Sequence, residues 1–307
     1  MISIAKRHFP QISYHNGLKW LWNPVLKKRY KIRPEEVVRL QYLEALIEEQ
    51  RWSGNRIAFE LPVRSRKYET AKRADIVCYS QQMKSQIVIE CKAPTIAITE
   101  STAAQASKYN DVIGAPWLIL TNGKEDILYN ASDKKTVAHH NSFFPTPLPL
   151  HYSLNYWKTR GFAGSLFDAK HQKILLQVLE TLFVKKHKTF PVRYLRINQQ
   201  IDGIHLPHAY LYVELDDGFA VDCTVIASVS GETYLLAVIS RDHQQFGLIH
   251  IQLDAALAGI SAPVKLYGPG FQKSHDLSYF KTNIETLCAL QPGDLAAECV
   301  RFIETFR

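Results

Sequence analysis

The run from Gln86 to Pro94 constrains this chain more than any other stretch, because a buried-looking strand ends there in charged residues. The run reads Gln-Ile-Val-Ile-Glu-Cys-Lys-Ala-Pro. Side chains alternate between the two faces of a strand, so Glu90 and Lys92 share one face and Cys91 lies on the other. An acid and a base are therefore expected side by side where the strand ends. The Glu-x-Lys spacing alone is a weak signal, since both residues are common.

A second acid, Asp75, stands fifteen residues before Glu90. It belongs to the short apolar run Arg73-Ala74-Asp75-Ile76-Val77-Cys78-Tyr79, which predicts another strand. The polar residues 80–85 predict a hairpin connection between the two strands. Hairpin pairing can then place Asp75 beside Glu90 and Lys92.

Charge and composition narrow the function classes. Residues 1–135 contain 22 Lys and Arg but 14 Asp and Glu, whereas residues 136–307 contain 15 of each. A basic domain with a carboxylate cluster suits a polyphosphate ligand, although an excess of this size is also within ordinary variation. No apolar run approaches the ~18 residues of a membrane span, and the first residues lack the apolar stretch of a signal peptide, so a cytoplasmic protein without membrane contact is expected.

The five cysteines also indicate an intracellular protein. Their number is odd, and no Cys-x-x-Cys pair occurs. They are interpreted as reduced core residues, and neither disulfides nor a zinc site is expected.

A helix is predicted from Pro34 to about Gln50. Proline favours the first turn, and the acids that follow it suit the helix dipole. Glu36 continues the apolar stripe of this helix, so it is expected to face inward and to need a partner. Two interpretations stay open: an ion pair with Arg39, or a carboxylate delivered to a metal site.

Two further elements flank the paired strands. A strand over Arg56–Arg64 is expected to put Ile57, Phe59, Leu61 and Val63 on one face. Residues 64–73 are expected to form a basic turn that suits phosphates, although charges that simply face solvent are the more frequent explanation of such a turn. After Pro94, a helix capped by Ser101 or Thr102 is predicted through about Ile113. Gln105 and Tyr109 share one face of that helix.

The rest of the chain predicts a separate domain. Residues 136–165 are interpreted as a connecting segment, and residues 166–307 as an α+β domain. That domain is expected to open with a helix from Asp168 to Lys186, to continue with strands, and to close with helices at 277–290 and 295–306. No convincing chemistry is found in it.

An apolar strand carrying Asp, a turn, and an apolar strand ending in Glu-x-Lys form the pattern of the PD-(D/E)XK nuclease superfamily, with Ala74 where the motif has proline. The order of the motifs also resembles the N-terminal nuclease domain of type I restriction enzyme R subunits. The segments that carry this resemblance are Arg33-Pro34-Glu35-Glu36-Val37-Val38-Arg39, Arg73-Ala74-Asp75-Ile76-Val77, Ile89-Glu90-Cys91-Lys92-Ala93-Pro94, Gln105-Ala106-Ser107-Lys108-Tyr109 and Leu120-Thr121-Asn122-Gly123. The resemblance covers roughly residues 25–135.

The resemblance implies an α/β fold for residues 1–135, a restriction-endonuclease-like mixed sheet flanked by helices, within a chain that is α+β overall. It implies metal-dependent hydrolysis of DNA phosphodiester bonds with Mg²⁺ or Mn²⁺. The implied metal ligands are Asp75, Glu90 and the backbone carbonyl of Cys91. The implied catalytic set is Asp75, Glu90, Lys92, Glu36 and Gln105. The residues nominated for contact with nucleic acid are Arg39, Lys72, Arg73 and Tyr109.

Three hypotheses follow: a metal-dependent nuclease, a catalytically inactive nucleic-acid- or nucleotide-binding module of the same fold, and a structural protein in which Glu90 and Lys92 form an ion pair. DNA is the expected partner of the first. The resemblance leaves open a homodimer and a restriction-modification or other DNA-processing partner. The chain contains no Gly-x-x-x-x-Gly-Lys-[Ser/Thr] phosphate loop, so a helicase motor is not expected within it.

Overall fold

The chain divides into two units, and each unit contains its own six-stranded sheet. Residues 1–13 and 20–151 form the first unit, and residues 14–19 and 152–307 form the second. The computed structural model describes residues 2–63, 72–132, 135–137, 152–166, 169–185, 193–194, 208–209, 211–258, 264–276, 286 and 290–306. Among the helices of these residues, none has the length and apolar character that a bilayer span requires.

The first part of the chain contains nine strands and two α-helices in its described residues. The elements are β1 (Ile12–His15), β2 (Leu18–Asn23), β3 (Lys28–Tyr30), α1 (Pro34–Glu44), β4 (Ile57–Val63), β5 (Lys72–Tyr79), β6 (Ser85–Cys91), α2 (Glu100–Ile113), β7 (Trp117–Thr121), β8 (Asp126–Asn130) and β9 (Lys135–Val137). Short 3-10 turns lie at Ile4–Arg7 and Gly54–Arg56. The strands β1 to β3 form a small sheet.

The larger sheet has the strand order β4-β5-β6-β7-β8-β9. Its neighbours are antiparallel except for β6 and β7, which run parallel with Glu90 opposite Leu120. Parallel neighbours need a crossover connection, and α2 lies in it between the two strands. Apolar side chains from α2 and from the sheet pack together in one cluster that includes Ala106, Val88 and Leu118. The predicted fold class, a mixed sheet flanked by helices, is confirmed.

Helix α1 begins at Pro34 as expected and buries most of its length. The α-helical part ends at Glu44, earlier than predicted, because residues Ala45–Glu49 continue it as a π-helical turn. Val38, Leu40 and Leu43 of this helix are at most 1% exposed. Burial of such an apolar face supplies most of a helix's stability in a protein.

Strand β4 reverses its side-chain alternation at Glu60, so the prediction that Ile57, Phe59, Leu61 and Val63 share one face is wrong. Leu61 and Val63 pack in the cluster beside α2. Phe59 instead contacts Arg39 of α1, whose guanidinium lies 5.7 Å from the ring centroid. The cause is a backbone φ of +54° at Glu60, a value that side-chain-bearing residues rarely adopt.

The second unit continues the chain with eight strands and four α-helices among the described residues. The elements are α3 (Leu154–Thr159), α4 (Ala169–Glu180), β10 (Arg193–Tyr194), β11 (His208–Ala209), β12 (Leu211–Glu214), β13 (Phe219–Ala227), β14 (Thr233–Arg241), β15 (Gln244–Gln252), α5 (Leu253–Leu257), β16 (Val264–Gly268), β17 (Phe271–His275) and α6 (Pro292–Phe306). Strands β12 to β17 form an antiparallel sheet in chain order, and β10 pairs with β11.

The second unit is a sheet domain with helices, as the predicted α+β class requires. A π-helical turn, Thr181–Lys185, extends α4 to nearly the predicted length. The predicted cap Asp168 lies outside the described residues, as does nearly all of the predicted helix at 277–290. Helix α6 packs against the sheet so closely that a Cβ atom on Gly247 of β15 would lie 2.0 Å from Ile303 Cδ1.

Replacing Gly164 with Ala is expected to destabilise the second unit by about 3 kcal/mol, a typical cost of overpacking a rigid neighbour. A Cβ atom at this position would lie 1.8 Å from the carbonyl oxygen of Gly231. The backbone there is held in place, because the Ser165 amide donates to that same oxygen at 2.8 Å. Gly293 of α6 has no atom within 4 Å of its Cβ position, so Gly293→Ala is the matched control. Denaturant unfolding of both variants checks this, and equal midpoints would contradict it.

Candidate active site

Asp75 lies in β5, beside the strand that carries Glu90. Its side chain is buried, and each of its oxygens has a defined contact. Oδ2 accepts a hydrogen bond of 2.7 Å from the backbone amide of Cys91, and Oδ1 lies 2.9 Å from Arg39 Nη2. The hydrogen bond from the Cys91 amide holds Asp75 at the end of β6, and the contact with the Arg39 guanidinium holds it against α1.

Glu90 and Lys92 form an ion pair where β6 ends. Lys92 Nζ donates to Glu90 Oε1 at 2.8 Å, and Glu90 is only 3% exposed. The backbone amide of Lys92 donates to the carbonyl of Thr121 at 2.8 Å, which holds the end of β6 against β7. The two residues therefore emerge from the sheet as the strand alternation predicted.

Asp75, Glu90 and Lys92 lie close enough for their charges to shift one another's pKa, so they belong to one site. Burial, followed by the charge of Asp75, raises the pKa of Glu90 to about 7 against the lowering effect of Lys92. Burial also raises the pKa of Asp75, while Arg39 and the amide of Cys91 act in the opposite direction. For Lys92, burial acts to lower the pKa, but the hydrogen bond to Glu90 and that residue's charge leave it above its ordinary value. The structure thus brings together Asp75, Glu90 and Lys92.

Arg39 is buried between the acids of the site, with its side chain 7% exposed. Its nearest partners besides Asp75 are Glu36 at 2.9 Å and Glu35 at 3.1 Å, and Glu60 lies 3.7 Å away. The carboxylates leave this guanidinium little surface for a phosphate. Its placement therefore argues against the predicted contact between Arg39 and nucleic acid.

Glu36 makes the ion pair with Arg39 that the helix pattern left open. Glu36 also lies within electrostatic reach of Asp75, as the other interpretation, a carboxylate delivered to a metal site, requires. Burial is the largest cause that raises the pKa of Glu36. The neighbouring Glu35, which the sequence pattern did not single out, acts electrostatically on both Glu90 and Lys92.

Glu60 belongs to the same charge network but was missed from the sequence. It accepts a hydrogen bond of 2.7 Å from the Tyr30 hydroxyl, and Lys28 and Arg73 each lie 3.9 Å from its carboxylate. Position 60 lies opposite position 75 in the antiparallel register of β4 and β5, which only the structure shows. The positive φ of Glu60 was not readable, because it is an L-residue in an otherwise regular strand pattern.

Several nominated residues are only partly placed. Gln105 and Tyr109 lie on α2 as predicted, but their side chains are outside the described part of the structure. The same holds for the side chain of Lys72 at the start of β5 and for the basic residues 64–71. The Arg73 side chain is 64% exposed and is therefore accessible to a phosphate.

The capacity of this site to bind a metal ion depends on the donor atoms that its side chains offer. Within the described ranges, no cluster of three or more His, Cys, Asp or Glu side chains is arranged to hold a metal ion. The donors of Asp75 and Glu90 nevertheless fit a hard divalent cation, because a carboxylate oxygen that accepts one hydrogen bond keeps further lone pairs. A cation would also relieve the repulsion that raises the pKa of Glu90. The carbonyl of Cys91 stays a predicted third ligand.

Comparison with known proteins gives one match, and it covers the segment that contains this site. Residues 34–145 match the family model described as type I restriction enzyme R protein N terminus. The comparison with curated proteins found no match, and the comparison with solved structures found none either. The matched segment includes Asp75, Glu90 and Lys92. The resemblance to the N terminus of the type I restriction enzyme R protein, with which a PD-(D/E)XK fold is consistent, is thereby confirmed for residues 34–145.

Proposed function

We propose that this chain hydrolyses phosphodiester bonds of DNA with the help of Mg²⁺ or Mn²⁺. The observation that carries the proposal is the convergence of Asp75, Glu90 and Lys92 where the pairing of β5 and β6 ends, within the segment that matches a restriction enzyme family. The same proposal includes a cytoplasmic location for the protein and a restriction-modification or other DNA-processing partner.

The roles of the residues follow from their charges and contacts. Asp75 and Glu90 would hold the divalent cation, which when bound neutralises phosphoryl oxygens and makes a coordinated water a better nucleophile. The cation binds the ionised carboxylates, so Glu90 must release its proton, and its pKa of about 7 makes that release effective above neutral pH.

Lys92 acts as a fixed positive charge in this proposal. Its pKa is raised above the ordinary value, so the ammonium stays protonated at neutral pH and is not a general base. The hydrogen bond to Glu90 holds Nζ beside the carboxylates. From there it stabilises the negative charge that develops on the phosphoryl group, or it orients the attacking water.

The alternative is a nucleic-acid-binding module of the same fold without catalysis. One observation favours it: Arg39 and Lys92 already neutralise one oxygen each of Asp75 and Glu90. The nuclease proposal accounts for both cations as supports of the site, and it requires that the carboxylates still accept a metal. Activity assays with and without metal separate the two functions.

Purified full-length protein is expected to cleave DNA in the presence of Mg²⁺ or Mn²⁺ and to lose that activity in EDTA. The substrates are supercoiled plasmid, linear duplex and single-stranded DNA, and cleavage is followed by gel electrophoresis. Contacts to phosphates predominate in this proposal, so binding is expected to weaken as salt rises and to depend little on sequence. Protein that binds DNA but cuts none of the substrates with either metal would establish the binding-module alternative.

A further inference from the structure

Arg39 joins acids from three separate elements of the fold. Four carboxylates lie within ion-pair distance of its guanidinium group: Asp75 at 2.9 Å, Glu36 at 2.9 Å, Glu35 at 3.1 Å and Glu60 at 3.7 Å. These acids come from β5, α1 and β4. One guanidinium group thus contacts acids that the fold brings together from distant parts of the sequence.

The environment of Arg39 makes these contacts more consequential than ion pairs on a surface. Its side chain is 7% exposed, and the guanidinium carbon lies 5.7 Å from the centroid of the Phe59 ring. Exposed ion pairs contribute little to stability, whereas a buried charge that loses its partner is costly. Removing Arg39 would leave Asp75 and Glu36 facing one another without a cation between them.

We propose that Arg39 is a positioning residue, an internal counter-cation that holds Asp75 in place and keeps the acidic cluster folded before a divalent cation binds. This inference rests on the proposed function, because it assigns Arg39 a part in preparing the same site. The fork of the guanidinium suits the task, since its separate N–H groups contact Asp75 and Glu36 at the same time.

Loss of the Arg39 side chain is expected to change metal affinity and cleavage activity in opposite directions. The positive charge of Arg39 repels a divalent cation and occupies one oxygen of Asp75. Without that charge, a cation should bind more tightly, while an Asp75 carboxylate that is no longer oriented should support slower cleavage. A residue with a purely structural role would not tighten metal binding when it is removed.

The test uses full-length Arg39→Met protein, with Mn²⁺ as the probe at pH 8. Calorimetry is expected to show Mn²⁺ binding about tenfold tighter than in the wild type, owing to the lost repulsion. In EDTA the variant is expected to melt at a lower temperature than the wild type. Addition of Mn²⁺ at a concentration near the wild-type Kd should then raise its Tm by at least about twice the wild-type shift.

Two further variants complete the design. Arg56→Met is the matched control, because Arg56 lies over the Trp52 ring at 5.5 Å, and Mn²⁺ affinity should stay unchanged. Arg39→Lys keeps the charge but loses the fork, so it should bind Mn²⁺ as the wild type does and still cleave more slowly. The lysine variant also provides a folded protein should Arg39→Met fail to fold.

Either of two results would overturn the inference. One is an Arg39→Met protein that binds Mn²⁺ no more tightly than the wild type and whose Tm rises no more than the wild-type Tm when Mn²⁺ is added. The other is an Arg39→Lys protein that cleaves at the wild-type rate. Failure of the proposed function has a different signature: wild-type protein that cuts no DNA under any condition, whatever its affinity for Mn²⁺.

Discussion

Asp75→Asn protein is expected to cleave DNA at least about 100-fold more slowly than the wild type. Replacing groups that merely support a metal ligand already costs about 10- to 100-fold, so the loss of a direct ligand should cost more. Asn keeps the shape of the side chain, and its oxygen can still accept from the amide of Cys91. It presents an uncharged NH₂ group in place of the second oxygen, which contacts Arg39 in the wild type.

The same substitution should leave the protein folded, because Arg39 keeps Glu36 and Glu35 as partners when its ion pair with Asp75 is lost. Initial cleavage rates at saturating Mn²⁺, together with melting curves, check both statements. Asp111→Asn is the matched control, since Asp111 is an exposed acid on α2. An Asp75→Asn protein that keeps its cleavage rate would show that another acid holds the cation, or that the activity comes from a contaminating nuclease.

The central strands and their acids could be predicted because the evidence for them is local. Alternation within Gln86–Pro94 places Glu90 and Lys92 on one face, and a short hairpin connection brings Asp75 to the neighbouring strand. Neither inference needs knowledge of distant contacts. The order of the motifs also indicated the family that the comparison confirmed for residues 34–145.

Sequence spacing predicts the pair between Glu36 and Arg39. The contacts of Arg39 with Asp75 and Glu60 could not be predicted, because they depend on packing between elements far apart in sequence. Arg39 is among the residues that are predicted to contact nucleic acid. The structure instead surrounds it with four carboxylates and the Phe59 ring. Only the approach of α1 to β4 and β5 creates that environment.

Glu60 illustrates a second limit of sequence patterns. A period-two reading assigned four apolar residues of β4 to one face, but the positive φ of Glu60 reverses the alternation halfway along the strand. Backbone conformations of this kind occur at functional sites more often than elsewhere, and here the reversal lies opposite Asp75. The local pattern failed at the site itself, where competing requirements on the backbone are strongest.

Replacing Lys92 with Met is expected to reduce cleavage by roughly 100- to 1,000-fold, the usual cost of removing one group that stabilises a transition-state charge. Met retains the length and apolar stem of the side chain but removes the ammonium that contacts Glu90. Lys84→Met is the matched control, because Lys84 is exposed in the connection between β5 and β6. Unchanged cleavage by Lys92→Met would remove Lys92 from the mechanism.

The metal-free protein provides a second measurement on the same variant, through the pH dependence of its stability. The pKa of Glu90 is about 7 in the folded protein and near 4.5 in the unfolded chain, so the folded state binds more protons between these values. Stability in EDTA should therefore fall from pH 5 to pH 8, by up to roughly 3 kcal/mol from this group.

Lys92 lowers the pKa of Glu90, so in the Lys92→Met protein that pKa lies higher and the fall in stability continues to a higher pH. Melting curves of the wild type, Lys92→Met and Glu90→Gln proteins between pH 5 and pH 8 test this expectation. A Glu90→Gln protein whose stability depends on pH as strongly as that of the wild type would assign the titration to another group.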